Sequence, residues 1–323
     1  MNKNSKNSTN FVDKAKLIFG MREAYAKGKN AMEYARYFLS EKKEDQISNQ
    51  NLSTLIAYDL QSGNYVDKAR RYKSYNKQWG ELHANQIVKF LPPNGTLLEV
   101  GVGEATTMVS ILKSLKIKPS RCLGFDISWS RLKVANQWIK ENSQNAELFV
   151  GDMFNIPLAN NSVDIVYSSH SLEPNAGYEE ALLKECYRVA RKAVILIEPI
   201  YELASNKAKK RMREHGYISG LHKVAKNLGY KISNYKLLDY VENYSNSLNP
   251  TGVLSLIKSD CETISLNSET ENKKIYWQCP LTKSNLIKMN DAFFSKDSGL
   301  AYPILNGIPL LRVEHGLIAS LYQ

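Results

Sequence analysis

The chain alternates short apolar runs with longer amphipathic stretches over its middle third. Residues 96–100, 122–127, 147–152, 163–170 and 193–198 are compact apolar runs, several of them closed by an acid or a polar residue. Between them lie 106–116, 129–142 and 177–191, where apolar residues recur at three- and four-residue spacing. Short buried strands alternating with helices predict βαβ units and a parallel sheet. Two further runs, about 231–241 and 252–259, predict an antiparallel pair that completes a seven-stranded sheet. Residues 11–92 carry helical periodicity throughout, with helices over 11–28, 30–43, about 52–61 and 65–91, the last ending before Pro92-Pro93. After about 272 the character changes again, to short strands with turn signals at Asp297-Ser298-Gly299 and Asn306-Gly307.

These patterns divide the chain into a tail at 1–10 expected to be disordered, a helical cap over 11–92, an α/β domain over 93–262 and a small β-rich domain over 272–323. The first apolar strand ends in Glu99 and runs straight into Gly101 and Gly103, then a helix start at Thr106. Strand, tight glycine turn and helix N-terminus form the arrangement that lets a backbone approach a nucleotide-like ligand. The second strand ends at Asp126-Ile127 and the third at Asp152-Met153. In open α/β sheets ligands gather at these carboxyl ends. Each acid alone is equally readable as a helix N-cap. Position 106 is Thr, so the turn departs from the G-x-G-x-x-G of nicotinamide dehydrogenases.

Taken together, this series resembles the class I S-adenosylmethionine-dependent methyltransferases over about 97–260. The resemblance implies a Rossmann-like seven-stranded fold and S-adenosylmethionine as cofactor. It places Glu99, Gly101 and Gly103 against the methionine part, Asp126 on the ribose hydroxyls, Ile127 on the adenine, and Asp152 with Met153 at the adenine amino group. Ala105 stands where many relatives carry a third glycine. The fourth strand leads into Ser168-Ser169-His170-Ser171-Leu172-Glu173-Pro174-Asn175, which faces the methyl group in that family, with Ser169 on the cofactor side. A hydroxyl acceptor needs a base, and His170 is the candidate, with Glu173 orienting it or holding the acceptor. The alternative is that both only line the cofactor pocket. After the fifth strand, Glu198-Pro199-Ile200-Tyr201-Glu202 and a long connection containing His215 and His222 supply acceptor candidates, chiefly Tyr201, Glu202 and His215. Tyr58, Gln61, Tyr65 and Tyr72 are candidate lid residues. The 299–312 run resembles the small domain of the tRNA-methyltransferase activator subunit family. That family's CPxC is reduced here to Cys279-Pro280-Leu281-Thr282, so no metal is expected.

Composition narrows the partners. The chain has 323 residues and 43% hydrophobic residues, enough for a sizeable core, and no apolar run of membrane-spanning length. The polar start carries no signal-peptide pattern, and four scattered cysteines (Cys122, Cys186, Cys261 and Cys279) fit a reducing, cytoplasmic setting. The net charge is +11; most of the lysines are scattered, and the densest patches are Lys207/Lys209/Lys210/Arg211/Arg213 and Lys68/Arg70/Arg71/Lys73. Each is either a solvated helix face or a phosphate contact. The expected function is O-methylation of a small-molecule or carbohydrate acceptor, in surface-sugar biosynthesis. The alternatives are an RNA methyltransferase and a non-catalytic scaffold keeping the cofactor fold.

Overall fold

The computed structural model describes residues 4–40, 46–238, 248–258 and 275–321. Cys261, residues 239–241 of the sixth predicted strand, and 272–274 at the start of the last domain lie outside them. The chain forms two compact units, Met1–Asn64 and Tyr65–Gln323.

The first unit is three helices, α1 (Asn4–Ala26), α2 (Ala31–Ser40) and α3 (Gln46–Leu60). Leu17, Met21, Ala31, Ala35, Ile56 and Ala57 make its core. The helix begins at Asn4 rather than after residue 10, since neither proline nor glycine interrupts the chain before Gly20.

In the second unit, α4 (Asn64–Arg71) and α5 (Lys73–Ile87) replace the single helix expected over 65–91. The break is at Tyr72, whose φ of −114° and ψ of 57° are not helical. Buried Glu104 accepts from the Val66 N–H at 2.8 Å and so satisfies one orphan donor at the start of α4. The domain boundary falls at 64/65 and not at 92 for a packing reason. Val66, Ala69, Ala84 and Ile87 share one core cluster with Leu97, Met108 and Ile165 of the α/β domain.

The sheet comprises β1 (Thr96–Val100), β2 (Arg121–Asp126), β3 (Glu147–Val150), β4 (Val163–Ser169), β5 (Ala190–Pro199), β6 (Lys231–Leu237) and β7 (Thr251–Ile257). Its order is β3-β2-β1-β4-β5-β7-β6, with β7 antiparallel to both neighbours and β1 to β5 parallel. Helices α6 (Thr106–Ser114), α7 (Trp129–Glu141), α8 (Glu179–Val189), α9 (Asn206–Glu214) and α10 (Leu221–Asn227) supply the connections. Both sheet faces are covered, and all five residues of β1 are buried, Thr96 and Glu99 included.

The last domain is a small antiparallel sheet, β8 (Ile287–Lys288), β9 (Ala292–Ser295), β10 (Leu300–Leu305), β11 (Ile308–Pro309) and β12 (Leu317–Ile318). It continues the core. The Leu311 N–H donates to the Val150 carbonyl at 2.8 Å and Leu310 bridges Val150 in parallel, so the domain covers the β3 edge. Trp277 meets Phe149 edge-on at 5.0 Å, and Phe293, Tyr302 and Leu311 join the same cluster as Phe125 and Phe149.

At the opposite end of the strands one carboxylate ties three of them. Asp164, fully buried, accepts from the Thr96 N–H at 2.9 Å and hydroxyl at 3.1 Å, and pairs with Arg191 of β5 at 2.9 Å. Removing it strands a guanidinium and two donors in a low-dielectric setting. Asp164→Ala is expected to cost about 3 kcal/mol, read as a lowered urea midpoint at unchanged m-value.

Candidate active site

β1 ends on Val100, and the chain turns at Gly101 with φ +68°. A Cβ there would come within 2.4 Å of the Ser171 Cβ, and the Ser171 hydroxyl donates to the Val100 carbonyl at 2.7 Å. The turn is therefore pinned against the segment after β4, and only glycine fits. Gly103 follows with φ +53°, and Ala105 itself adopts a left-handed conformation, φ +56°, as the residue preceding α6.

Asp126, at the end of β2, organises this crevice. One carboxylate oxygen accepts from the Gly103 N–H at 3.0 Å and the other from the Ser128 N–H at 2.9 Å. Burial pushes its pKa up, while these hydrogen bonds and the charge of Arg131 oppose the shift. Arg131 lies over the Tyr65 ring at 4.9 Å, which brings that candidate lid residue to the rim. Ile127 is half-buried next to it. Asp152 caps its own turn by accepting from the Phe154 N–H at 2.9 Å, and Met153 contacts the Asn175 amide at 3.7 Å. The Ile127 N–H is a third backbone donor to the Asp126 carboxylate, and this acid at the open strand end beside the glycine turn suits an adenosine-bearing cofactor.

Glu99 is held differently from what the resemblance implies. Its carboxyl is buried against Tyr167 of β4, whose hydroxyl donates to it at 2.8 Å. Burial pushes its pKa up to about 8, against the lowering effect of Tyr167.

The segment after β4 gathers the reactive groups. His170 has φ +48°, a left-handed conformation uncommon for a residue with a Cβ. Its Nδ1 lies 2.6 Å from Glu173 Oε1 and its Nε2 2.7 Å from the Thr251 hydroxyl. Burial is the largest influence and opposes protonation, but the Glu173 hydrogen bond and charge, with the charge of Glu198, outweigh it and hold the His170 pKa above its ordinary value. Asn249 donates to Glu173 at 3.4 Å. Buried Glu198 accepts from the Ser171 and Leu172 N–H groups, and burial raises its pKa to about 7.

Helix α5 adds residues that the sequence pattern concealed. His83 is fully buried, with Nδ1 2.8 Å from the Trp79 carbonyl and Nε2 2.9 Å from the Ser169 hydroxyl. A carbonyl only accepts, so Nδ1 carries the proton and Nε2 accepts from Ser169. Burial drives the His83 pKa down to about 3, so the ring is neutral. Trp79 stands edge-on to His170, ring centres 5.6 Å apart. His83 and Trp79 read as ordinary helix-face residues in the sequence; their chemistry arises only from the docking of α5.

The remaining candidates are scattered. Tyr201, in the single turn Tyr201–Leu203, accepts from Arg213 at 2.6 Å. Glu202 accepts from the Gly220 N–H and from the Tyr235 hydroxyl, so it braces the long connection against β6. Tyr201 and Glu202 line a crevice together with Glu198, Ile218 and Leu254. His215 is exposed with Nδ1 2.9 Å from the Arg211 carbonyl, at the end of α9. Tyr58 belongs to α3 of the first unit, as does Gln61 in the turn that follows it. Among the described residues no group of three metal-binding side chains gathers. Cys279 instead has hydroxyl neighbours, Tyr302 at 3.3 Å and Ser298 at 3.7 Å.

Residues 97–193 match the family model described as a methyltransferase domain. Over these residues, less than half of its length, the chain carries a methyltransferase domain. No curated protein matches it by sequence. Similar solved structures include the magnesium protoporphyrin IX methyltransferase of Synechocystis PCC 6803 with bound SAH, at 15% identity over 63% of this chain and 99% of that one, TM-score 0.48. Another is the Haloferax volcanii complex of the Trm112 methyltransferase activator and a putative methyltransferase, at 14% identity over 62% and 96%, TM-score 0.46. A third is geranyl diphosphate C-methyltransferase from Streptomyces coelicolor A3(2), at 14% identity over 54% and 76%, TM-score 0.42.

The methyltransferase domain's buried acids set a pH signature. Glu99 holds its proton in the folded state up to about pH 8, whereas a free glutamate loses it near 4.5. The folded state thus binds more protons across that window, and stability falls as pH rises through it. Glu99→Gln removes this term, so the melting temperature of the variant relative to wild type should climb between pH 5 and pH 9. A constant difference would show that Glu99 is ionised throughout.

Proposed function

We propose that the protein O-methylates a hydroxyl on a small-molecule or carbohydrate acceptor, a surface-sugar precursor being the assigned setting. The observation that carries this reading is the Glu173–His170 pair, 2.6 Å apart at the end of β4. Methyl transfer is an in-line displacement that demands mainly positioning. A hydroxyl also requires a base, unlike an acceptor that is already nucleophilic. Bound S-adenosylmethionine supplies a methyl group activated by its sulfonium.

Glu173 accepts the Nδ1–H of His170, which leaves Nε2 as the acceptor and aims it at Thr251. The acceptor hydroxyl either displaces the Thr251 hydroxyl from Nε2 or hands its proton through it. Nε2 would take that proton as the acceptor oxygen received the methyl group that bound S-adenosylmethionine would supply. Glu173 stabilises the imidazolium so formed. Asp126 would hold the ribose diol, and Tyr65 would serve as a lid residue. Tyr201, Glu202 and His215 are the acceptor-side candidates, and the cytoplasm is the proposed compartment.

The C-terminal domain is proposed to act as a built-in counterpart of the activator subunits it resembles. The Leu311–Val150 hydrogen bond along the β3 edge supports this. A second reading, RNA methylation, draws on α9, whose Lys207, Lys209, Lys210, Arg211 and Arg213 adjoin the acceptor loop. Arg211 lies over Tyr217, and Tyr217 hydrogen-bonds Glu173.

The test uses methyl-labelled S-adenosylmethionine with separated glycan, small-metabolite and RNA fractions, beside Asp126→Ala. Label in the sugar fractions, lost in that variant, is expected. Label in nuclease-sensitive material would replace this reading by the RNA one. Cofactor binding without turnover on any fraction would favour a scaffold. His170→Gln should lower kcat about 10²- to 10⁴-fold with cofactor affinity unchanged. Because the His170 pKa is raised, the neutral base accumulates only above the ordinary value. Activity should therefore rise with pH through an inflection above 6.5, and Glu173→Gln should move that inflection down.

A further inference from the structure

The basic patch around Arg70 takes no part in methyl transfer. In the fold, Arg70 and Lys73 are joined by Lys77 of α5 and Lys113 of α6 around a single groove of about 420 Å³. The groove runs between α4, α5, α6 and the end of α7, and its volume falls in the range of small-ligand sites. Asn76, Ser110, Ser114 and Asn142 add hydroxyl and amide groups, and Trp138 forms part of the wall.

Charge is strongly one-sided here. Four cations and one carboxylate, Glu141, line the groove, while Arg70 and Lys77 also pair outside the lining with Asp67 at 3.6 Å and Glu81 at 3.8 Å. Glu141 is committed to Arg70 at 2.8 Å, and the Arg70 guanidinium also lies over the Trp138 ring at 5.6 Å. Arg70 is thus held in place at the groove wall. Lys113 is oriented by the Asn142 side chain at 2.7 Å. Lys73 has no acidic partner within 4 Å among the described residues. The first residue of α5 is Lys73, and the preceding Tyr72 provides no side-chain cap, so the positive end of that helix dipole adds to the field. Lys73 and Lys113 have no carboxylate partner among the described residues, and a bound polyanion relieves their mutual repulsion.

We propose that this groove binds a diphosphate-bearing small molecule, with Lys73, Lys77 and Lys113 on the phosphate oxygens and Arg70 at the wall. The cations converge on one bounded volume rather than forming a stripe, which suits a compact diphosphate better than a nucleic-acid backbone. The site is independent of the methyl-transfer reading, and its test does not use activity.

The experiment is calorimetric titration of the full chain with inorganic pyrophosphate at low ionic strength. Wild type, Lys73→Gln/Lys113→Gln, and Lys207→Gln/Lys210→Gln on α9 are compared, with circular dichroism confirming the fold of each. The expected result is saturable binding by wild type and the α9 variant, weakened about tenfold or more in the groove variant, as for loss of one good ionic contact. Absence of saturation at millimolar pyrophosphate would overturn the proposal. So would binding insensitive to K73Q/K113Q. A single-stranded RNA oligonucleotide that binds more tightly than pyrophosphate, and is weakened by the same groove substitutions, would overturn it in favour of nucleic acid.

Discussion

The structure depends on where the sheet reverses its order. β1 pairs in parallel with β2 on one side and β4 on the other, so the chain leaves the sheet in opposite directions on either side of β1. A crevice opens there by topology alone. It receives the Gly101–Ala105 turn, the Asp126 carboxylate and the Ser169–Glu173 segment, and the Ser171 hydroxyl on the Val100 carbonyl closes the two sides to a fixed gap. The Thr96–Asp164–Arg191 cluster at the opposite strand ends ties β1 and β4 to β5, so the crevice sits above a tied base.

Charge is distributed by function around this crevice. Burial raises the Asp126 pKa, and the surrounding N–H donors and the Arg131 charge oppose that rise. Glu99, one strand away and deeper, meets only a phenol and stays neutral near pH 7. His83 and His170, both packed against Trp79, diverge in the same way. One is kept uncharged by burial, and the other is drawn toward protonation by its acid partner.

Much of this was legible in the sequence. The strand ends Glu99, Asp126 and Asp152, the glycine pair and the existence of the strands follow from apolar runs closed by polar residues, because a strand buried on both faces reads as such a run. The proximity of His170 to Glu173 was readable from their spacing. Three things were not. The partition of Glu99 away from the crevice depends on Tyr167 of another strand. The contribution of α5 depends on a break at Tyr72 that no proline or glycine announces. Glu202, an acceptor candidate by position, is drawn into bracing Gly220 and Tyr235 by a connection whose path the sequence does not specify.

The cover on the β3 edge has a further consequence. Because Leu310 and Leu311 reach Val150 from within the same polypeptide, the cover is present at a local concentration fixed by chain connectivity, not by the abundance of a second gene product. Each copy of the sheet is made with its own edge cover, in one-to-one ratio.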